Sequence, residues 1–124
     1  METVAVVGAS PLKDRYSNKA MNLLEDYGHT PVPVAPRYKE IEGKDVYTGL
    51  TDIQENIDTV TMYVGVPRQE KIIEEILRVK PKRVIFNPET ENPKVYDRLK
   101  SAGICVQEAC TLVLLKTGQY DQAE

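Results

Sequence analysis

A glycine stands directly behind a run of apolar, mostly β-branched residues in Thr3-Val4-Ala5-Val6-Val7-Gly8, and small and basic side chains follow it from Ala9 and Ser10 through Lys13, Arg15, Tyr16, Ser17, Asn18 and Lys19. Glycine at a strand end lets a ligand come close to backbone, and Ser17-Asn18 are residue types that cap a helix. The combination predicts a phosphate cradle, in which exposed N–H groups and the positive end of a helix dipole meet an anion. A side chain at Gly8 would then occupy the space where the phosphate approaches. Gly8 is the segment's one glycine, so the GxGxxG and GxxxxGK[ST] patterns are both missing. The plainer reading is a solvated basic turn.

A second cluster reads Val34-Ala35-Pro36-Arg37-Tyr38-Lys39. Proteins that bind NAD usually place an acidic residue at this point, on the ribose hydroxyls. Arg37 and Lys39 suit a phosphorylated ribose instead, as in NADP or coenzyme A, unless they are merely a charged loop. Near the C-terminus stand Glu108 and Cys110. A cysteine there would be a nucleophile only with a lowered pKa, and an apolar cysteine before Thr-Leu-Val-Leu-Leu is more often packing. His29 is the one histidine, and with Cys105 and Cys110 it falls short of a structural metal set. No Ser/His/Asp constellation is visible.

The elements that must hold these residues alternate along the chain. Thr3 to Val7 reads as a buried strand, and Ala20, Leu23, Leu24 and Tyr27 as one face of a helix stopped by Gly28. Val32 and Val34 suggest a second strand, although Pro31 and Pro33 weaken it. Residues 37–55 read mostly as loop, with a short helical turn near Asp52. Asp58 to Val64 forms the third strand, and Pro67 opens a helix with Ile72, Ile73, Ile76 and Leu77 on its apolar face. Arg83 to Phe86 is a fourth strand, ended by Asn87-Pro88. Pro93 opens a helix that Gly103 closes, Ile104 to Val106 is the fifth strand, and Leu112 to Leu115 pack as a terminal helix.

Strand and helix in alternation imply right-handed βαβ crossovers and a doubly wound, Rossmann-like α/β fold. It has a parallel five-stranded sheet and helices on both faces, as one domain over residues 1–124. In such a sheet the ligand crevice lies beyond the carboxyl ends of the strands. The candidate loops are Gly8 to Ser17, Ala35 to Lys39, Gly65 to Arg68, Asn87 to Asn92 and Gln107 to Thr111. His29, between a helix and the next strand, falls at the opposite edge and reads as structural.

Composition narrows the partners. Hydrophobic residues are 41% and charged residues 28%, an ordinary globular balance that argues against disorder. With 16 basic and 19 acidic residues the net charge is −3, which gives no reason to expect nucleic acid or an anionic membrane as partner. The N-terminal run lacks the basic region and cleavage site of a secretory signal, so a cytoplasmic protein with reduced thiols is expected.

VAVVGAS, RYSNKA, GHTPVPVAP, IEGKDVYTGLTDI, KRVIFNPETENP and EACTLVLL, in this order, resemble the small bacterial and archaeal CoA-binding proteins. These are stand-alone Rossmann-type domains similar to the N-terminal domain of the succinyl-CoA synthetase alpha subunit. The resemblance runs over essentially the whole chain. It implies that Gly8, Ala9, Ser10, Arg15, Tyr16 and Ser17 contact the pyrophosphate, and that Pro36, Arg37 and Lys39 lie near the adenosine phosphate. It further implies that Val66, Pro67 and Arg68 flank the adenine, and that Asn87, Pro88 and Glu89 line the pantetheine path, whose thiol would end near Cys110. The family commonly has glycine where this chain has Glu89, which adds a negative charge and loses easy access to positive φ. Ligases that contain such a domain use a phosphorylated histidine from another domain and a nucleotide-binding partner subunit, and neither is found in these residues. The expected function is binding of coenzyme A or an acyl-CoA without autonomous catalysis. An NAD(P)(H)-binding module stands as one alternative. The other is a component of an acyl-CoA-processing enzyme that acts through Cys110 or through a protein partner.

Overall fold

The computed structural model describes residues 1–122. In chain order the elements are β1 (Thr3–Val7), α1 (Tyr16–Asp26), β2 (Thr30–Val34), β3 (Glu40–Ile41), β4 (Lys44–Asp45), β5 (Thr59–Met62), α2 (Glu70–Val79), β6 (Arg83–Phe86), α3 (Pro93–Ser101), β7 (Cys105–Glu108) and α4 (Thr111–Lys116). Short 3₁₀ turns lie at Leu50–Asp52, Val66–Arg68 and Tyr120–Gln122. A five-stranded sheet in the order β2-β1-β5-β6-β7 is parallel throughout, so the expected doubly wound α/β architecture is what the chain adopts.

Alternating side chains on each strand serve two apolar layers. Ala5, Val7, Val60, Met62, Val84 and Phe86 face one way and pack with Ile73 and Ile76 of α2 and Leu99 of α3. Val4, Val6 and Ile85 face the other way, against Met21 and Leu24 of α1 and Leu114 and Leu115 of α4. Covered on both sides, β1 has no polar face to offer, hence its continuous apolar run. Pro31 and Pro33 fit because β2 is an edge strand of the sheet, where a missing N–H is tolerated.

Three local features depart from expectation. First, residues 37–55 are not mostly loop: β3 and β4 pair antiparallel around Glu42-Gly43, whose φ values of +52° and +80° are those of a tight hairpin turn. The Glu42 carboxylate accepts from the Asn18 amide at 2.9 Å, which holds its pKa below the ordinary carboxylate range and ties the hairpin to the start of α1. Second, α1 begins earlier than a Ser17-Asn18 cap would place it. Arg15 is the N-cap residue and makes no side-chain capping bond. Ser17 and Asn18 are buried in the first turn, where Asn18 Nδ2 also donates to the Ser10 carbonyl at 2.9 Å. Third, Pro67 opens a 3₁₀ turn, and α2 itself starts at Glu70. No helix among the described residues is long and apolar enough to cross a membrane.

Candidate functional site

Neighbouring strands β1 and β5 lead away in opposite directions: β1 continues through α1 to β2 on one flank, and β5 through α2 to β6 on the other. A crevice opens above such a switch point. Here it is a cleft of two lobes that share Tyr16, Tyr63, Pro88 and Glu89. The smaller, about 300 Å³, adds Gly8, Ser10, Arg15, Ser17, Gly65 and Thr90. The larger, about 490 Å³, adds Asn87, Cys110, Leu112, Val113 and Lys116. A separate hollow of about 280 Å³ lies between residues 48–52 and α2, away from the strand-end loops. Its Glu75 is already committed to the Leu50 N–H at 3.1 Å.

The donors of the smaller lobe are fewer than a glycine-led cradle suggests. Gly8 and Ala9 both donate their N–H to the Val34 carbonyl, at 3.0 and 3.2 Å, so neither is free for an anion. Arg15 N–H is turned back onto Leu12, and the N–H groups of Asn18 and Lys19 onto Arg15. Among the described residues of this lobe, Ser10, Tyr16, Ser17 and Gly65 have N–H groups without a partner, and those of Tyr16 and Ser17 stand at the positive end of α1. The cations divide in the same way. Lys13 is held by Glu42 at 3.2 Å, and Lys19 lies over the Tyr16 ring at 5.6 Å. Arg15 is exposed, lines the lobe, and has no ion pair among the described residues.

Two buried amides fix the loops that wall the cleft. Asn87 donates to Thr61 Oγ1 at 2.8 Å and to the Met62 carbonyl at 2.9 Å, and accepts from the Thr111 N–H at 2.9 Å. It thus joins the ends of β5 and β6 to the start of α4, with its polar atoms spent inward. Gln69 donates to the carbonyls of Val64 and Thr90, both at 2.8 Å, and accepts from Asn92. This bridges the loops after β5 and β6. Tyr63, by contrast, has a buried hydroxyl that lies beside those of Thr61 and Thr111. The nearby hydroxyls of Thr61 and Thr111 bond each other at 2.8 Å. Burial pushes the Tyr63 phenol up to about 12, so it remains a proton donor at neutral pH.

Glu89 sits at φ +77°, a left-handed conformation that glycine adopts freely and glutamate does not. Its N–H is held by the Glu91 carboxylate at 2.8 Å, and it borders both lobes. Glu89→Gly is expected to raise the melting temperature slightly, by relief of about 1 kcal/mol of strain less the added chain entropy of glycine. It should also tighten binding of an anionic ligand several-fold, by removal of a like charge. Thermal denaturation and titration of both proteins check this, and weaker anion binding by the glycine variant would count against it.

The cleft therefore brings together Gly8, Ser10, Arg15, Tyr16, Ser17, Asn87, Pro88, Glu89 and Cys110. The side chain of Ala9 is instead buried in the core beside α1. Pro36, Arg37 and Lys39 after β2, and Val66, Pro67 and Arg68 after β5, are exposed on loops at the same sheet edge but line neither lobe. Cys110 is half-buried at the N-cap of α4, and both it and Cys105 are free thiols. His29 lies at the other edge, where Nδ1 accepts the Glu2 N–H at 3.0 Å and the ring packs 4.9 Å from Tyr120. Gly65 and Thr90 join the cleft from two of the candidate loops, and Tyr63, Leu112, Val113 and Lys116 join it from outside them.

Residues 2–116 match the model of the CoA binding domain family. An ADP-forming acetate–CoA ligase I of Archaeoglobus fulgidus is 35% identical over 74 residues, which are 60% of this chain and 11% of the ligase. The chain thus spans about a tenth of the length of that curated relative. Protein YneT of Bacillus subtilis is 28% identical over 81% of this chain and 74% of its own. Among solved structures, the crystal structure of an uncharacterised protein superposes with a TM-score of 0.90 at 39% identity, covering 96% of this chain and 98% of the other. The match of the family model over nearly the whole described chain, on a parallel sheet with a cleft at its switch point, places this protein in the CoA binding domain family.

Proposed function

We propose that the chain binds coenzyme A or an acyl-CoA in the two-lobed cleft, reversibly and without catalysis of its own. The observation that carries this reading is the continuity of the two lobes. A polar one offers the free N–H groups of Tyr16 and Ser17 with the Arg15 guanidinium, and an apolar one runs on from it past Tyr63. A diphosphate suits the first lobe, and the less polar end of the same ligand suits the second. The reading as a binder rather than an enzyme rests on what surrounds the cleft, where Cys110 has no histidine partner because His29 is at the other edge. The ligand is a small molecule, taken up inside the cell, and a larger ligase-like assembly would need a separate protein partner.

Arg37 and Lys39, exposed at the same sheet edge as the cleft, give the reading its specificity. A charge-assisted hydrogen bond is worth roughly 1.5–3 kcal/mol, so coenzyme A should bind about ten- to a hundredfold tighter than its 3′-dephospho form. Arg37→Ala should erase most of that difference. Calorimetric titration with coenzyme A, 3′-dephospho-CoA and NAD makes the measurement, and mass spectrometry of small molecules released from freshly purified, denatured protein is the direct complement. Equal affinity for the two CoA forms would remove Arg37 from the site. A clear preference for NAD would replace this reading with a dinucleotide-binding one.

A further inference from the structure

We propose that the larger lobe is a self-acylation site, in which Cys110 takes the acyl group of a bound acyl-CoA and passes it to the Lys116 amine. The proposal rests on the reading of the cleft as a CoA site and goes beyond binding, to a covalent fate of the ligand.

The first support is a pair of nucleophiles that binding leaves unused. Cys110 and Lys116 both line the lobe of about 490 Å³. Cys110 is a free, half-buried thiol at the N-cap of α4. Lys116 is exposed in the last turn of the same helix and has no ion pair among the described residues. The helical rise puts them about 9 Å apart along the axis. The Cα–Cβ bond of a helical residue tilts towards the N-terminus, so the Lys116 stem sets out in the direction of Cys110. The Tyr63 phenol on the same wall is no rival, since burial holds it protonated.

The second support is where the lobe stands and what adjoins it. It shares Tyr16, Pro88 and Glu89 with the polar lobe, so a ligand with its diphosphate at the start of α1 extends its thioester end along α4. Held there, the thioester meets both nucleophiles at a local concentration far above that in solution. No imidazole stands by to direct water at a transferred acyl group, because His29 lies at the other edge. The outcome is one stable modification per chain rather than turnover.

Ionisation sets the order of the two steps. Thiols as a class are a few per cent ionised near pH 7, whereas fewer than about one lysine amine in a thousand is unprotonated. The Cys110 thiolate therefore attacks the thioester carbon first. Its S–C bond forms, the bond from that carbon to the CoA sulfur breaks, and the departing CoA thiolate takes up the proton that Cys110 gave up. The neutral Lys116 amine then attacks the new thioester. The N–C bond forms, the Cys110 S–C bond breaks, and the proton lost by nitrogen returns to the Cys110 sulfur. Acyl-CoA and an amine become coenzyme A and an amide, with no oxidant or reductant.

Incubation of the intact chain with butyryl-CoA tests this, followed by peptide mass spectrometry with and without hydroxylamine, which cleaves thioesters and spares amides. A labile butyryl group is expected on Cys110, and not on Cys105, followed by a stable one on Lys116. Lys94 and Lys100, exposed on α3 against the other face of the sheet, are internal references, and Lys116 should be labelled at least about tenfold faster than either. The thioether S-butyl-CoA, which has no acyl group to give, should bring Lys116 down to the reference rate when in excess. Cys110→Ser should do the same at saturating butyryl-CoA, where a change in affinity does not enter. Coenzyme A that fails to bind in a parallel calorimetric titration would bring down the underlying reading. Coenzyme A that binds, with Lys116 labelled no faster than the α3 lysines, would overturn the inference alone. So would labelling of Lys116 that keeps its full rate under excess S-butyl-CoA or in Cys110→Ser, and the wild-type comparisons decide the matter should that variant not fold.

Discussion

Gly8→Ala is expected to lower the melting temperature by roughly 8–15 °C, a larger change than any other single replacement in the cleft. Gly8 lies at φ +92°, where a residue with a side chain is strained. A Cβ there would also stand 3.0 Å from the Tyr63 carbonyl oxygen and 3.1 Å from both the Tyr63 carbonyl carbon and Val64 Cγ2. The obstacle cannot retreat cheaply, because Tyr63 is pinned by its own N–H to the Val7 carbonyl at 2.8 Å. Strain and overpacking together cost about 2–4 kcal/mol, and each kcal/mol is worth about 4 °C in a domain of this size. Thermal denaturation followed by circular dichroism is the measurement, and an unchanged midpoint would contradict the account. Gly8 thus has a packing role in addition to its place in the lining of the cleft. A side chain would press on the end of β5 before it met any ligand, so the glycine lets two strand ends touch where the cleft begins.

How much could be read from residues alone follows from how local each cause is. The strands of the sheet were legible because burial on both faces leaves continuous apolar runs, as in Val4 to Val7 and Arg83 to Phe86. That legibility extends to the crevice, since the strand-end loops follow once the strands are known. The β3–β4 hairpin was not legible. Its strands are two residues long, too short for any period to appear, and Glu42 is a poor advertisement for positive φ. The start of α1 was misplaced because Ser and Asn are good caps by type, yet here Asn18 is spent on Ser10 and Glu42. Nor can a sequence show that the amides of Gly8 and Ala9 are consumed by Val34, which belongs to a different strand. Tyr63 looked like one more strand residue in the run from Asp58 to Val64. That it borders both lobes of the cleft with its hydroxyl buried is set by packing, which only the folded structure reveals. Of these, Leu112 and Val113 carried some signal, as members of an apolar run with more members than one face of a short helix can bury.

Arg15→Glu is the replacement expected to cost the most binding, about a hundredfold in affinity for coenzyme A, with little change in stability. The sequence offers Lys13, Arg15 and Lys19 as equivalent charges beside the first loop, and the fold makes them unequal. The Lys13 ammonium is 3.2 Å from Glu42 on a hairpin that supports α1, and Lys19 leans on the exposed face of Tyr16. Arg15 alone of the three lines the polar lobe. Its guanidinium can meet two phosphate oxygens at once, a geometry that an ammonium does not offer. Loss of one such charge-assisted contact costs roughly 1.5–3 kcal/mol, and a carboxylate in its place adds repulsion beside Glu89, so about a hundredfold is a conservative expectation. Because Arg15 is exposed and unpaired among the described residues, the variant should melt within a degree or two of the wild type. Lys13→Ala provides the contrast, with an expected loss of no more than about threefold, since that charge is already paired and exposed. Titrations at low and high salt sharpen the comparison, because the difference between the two variants should narrow as screening weakens the approach of the anion. An Arg15→Glu protein that binds coenzyme A as well as the Lys13→Ala protein would move the diphosphate away from the N-terminus of α1, and with it the polar half of the proposed site.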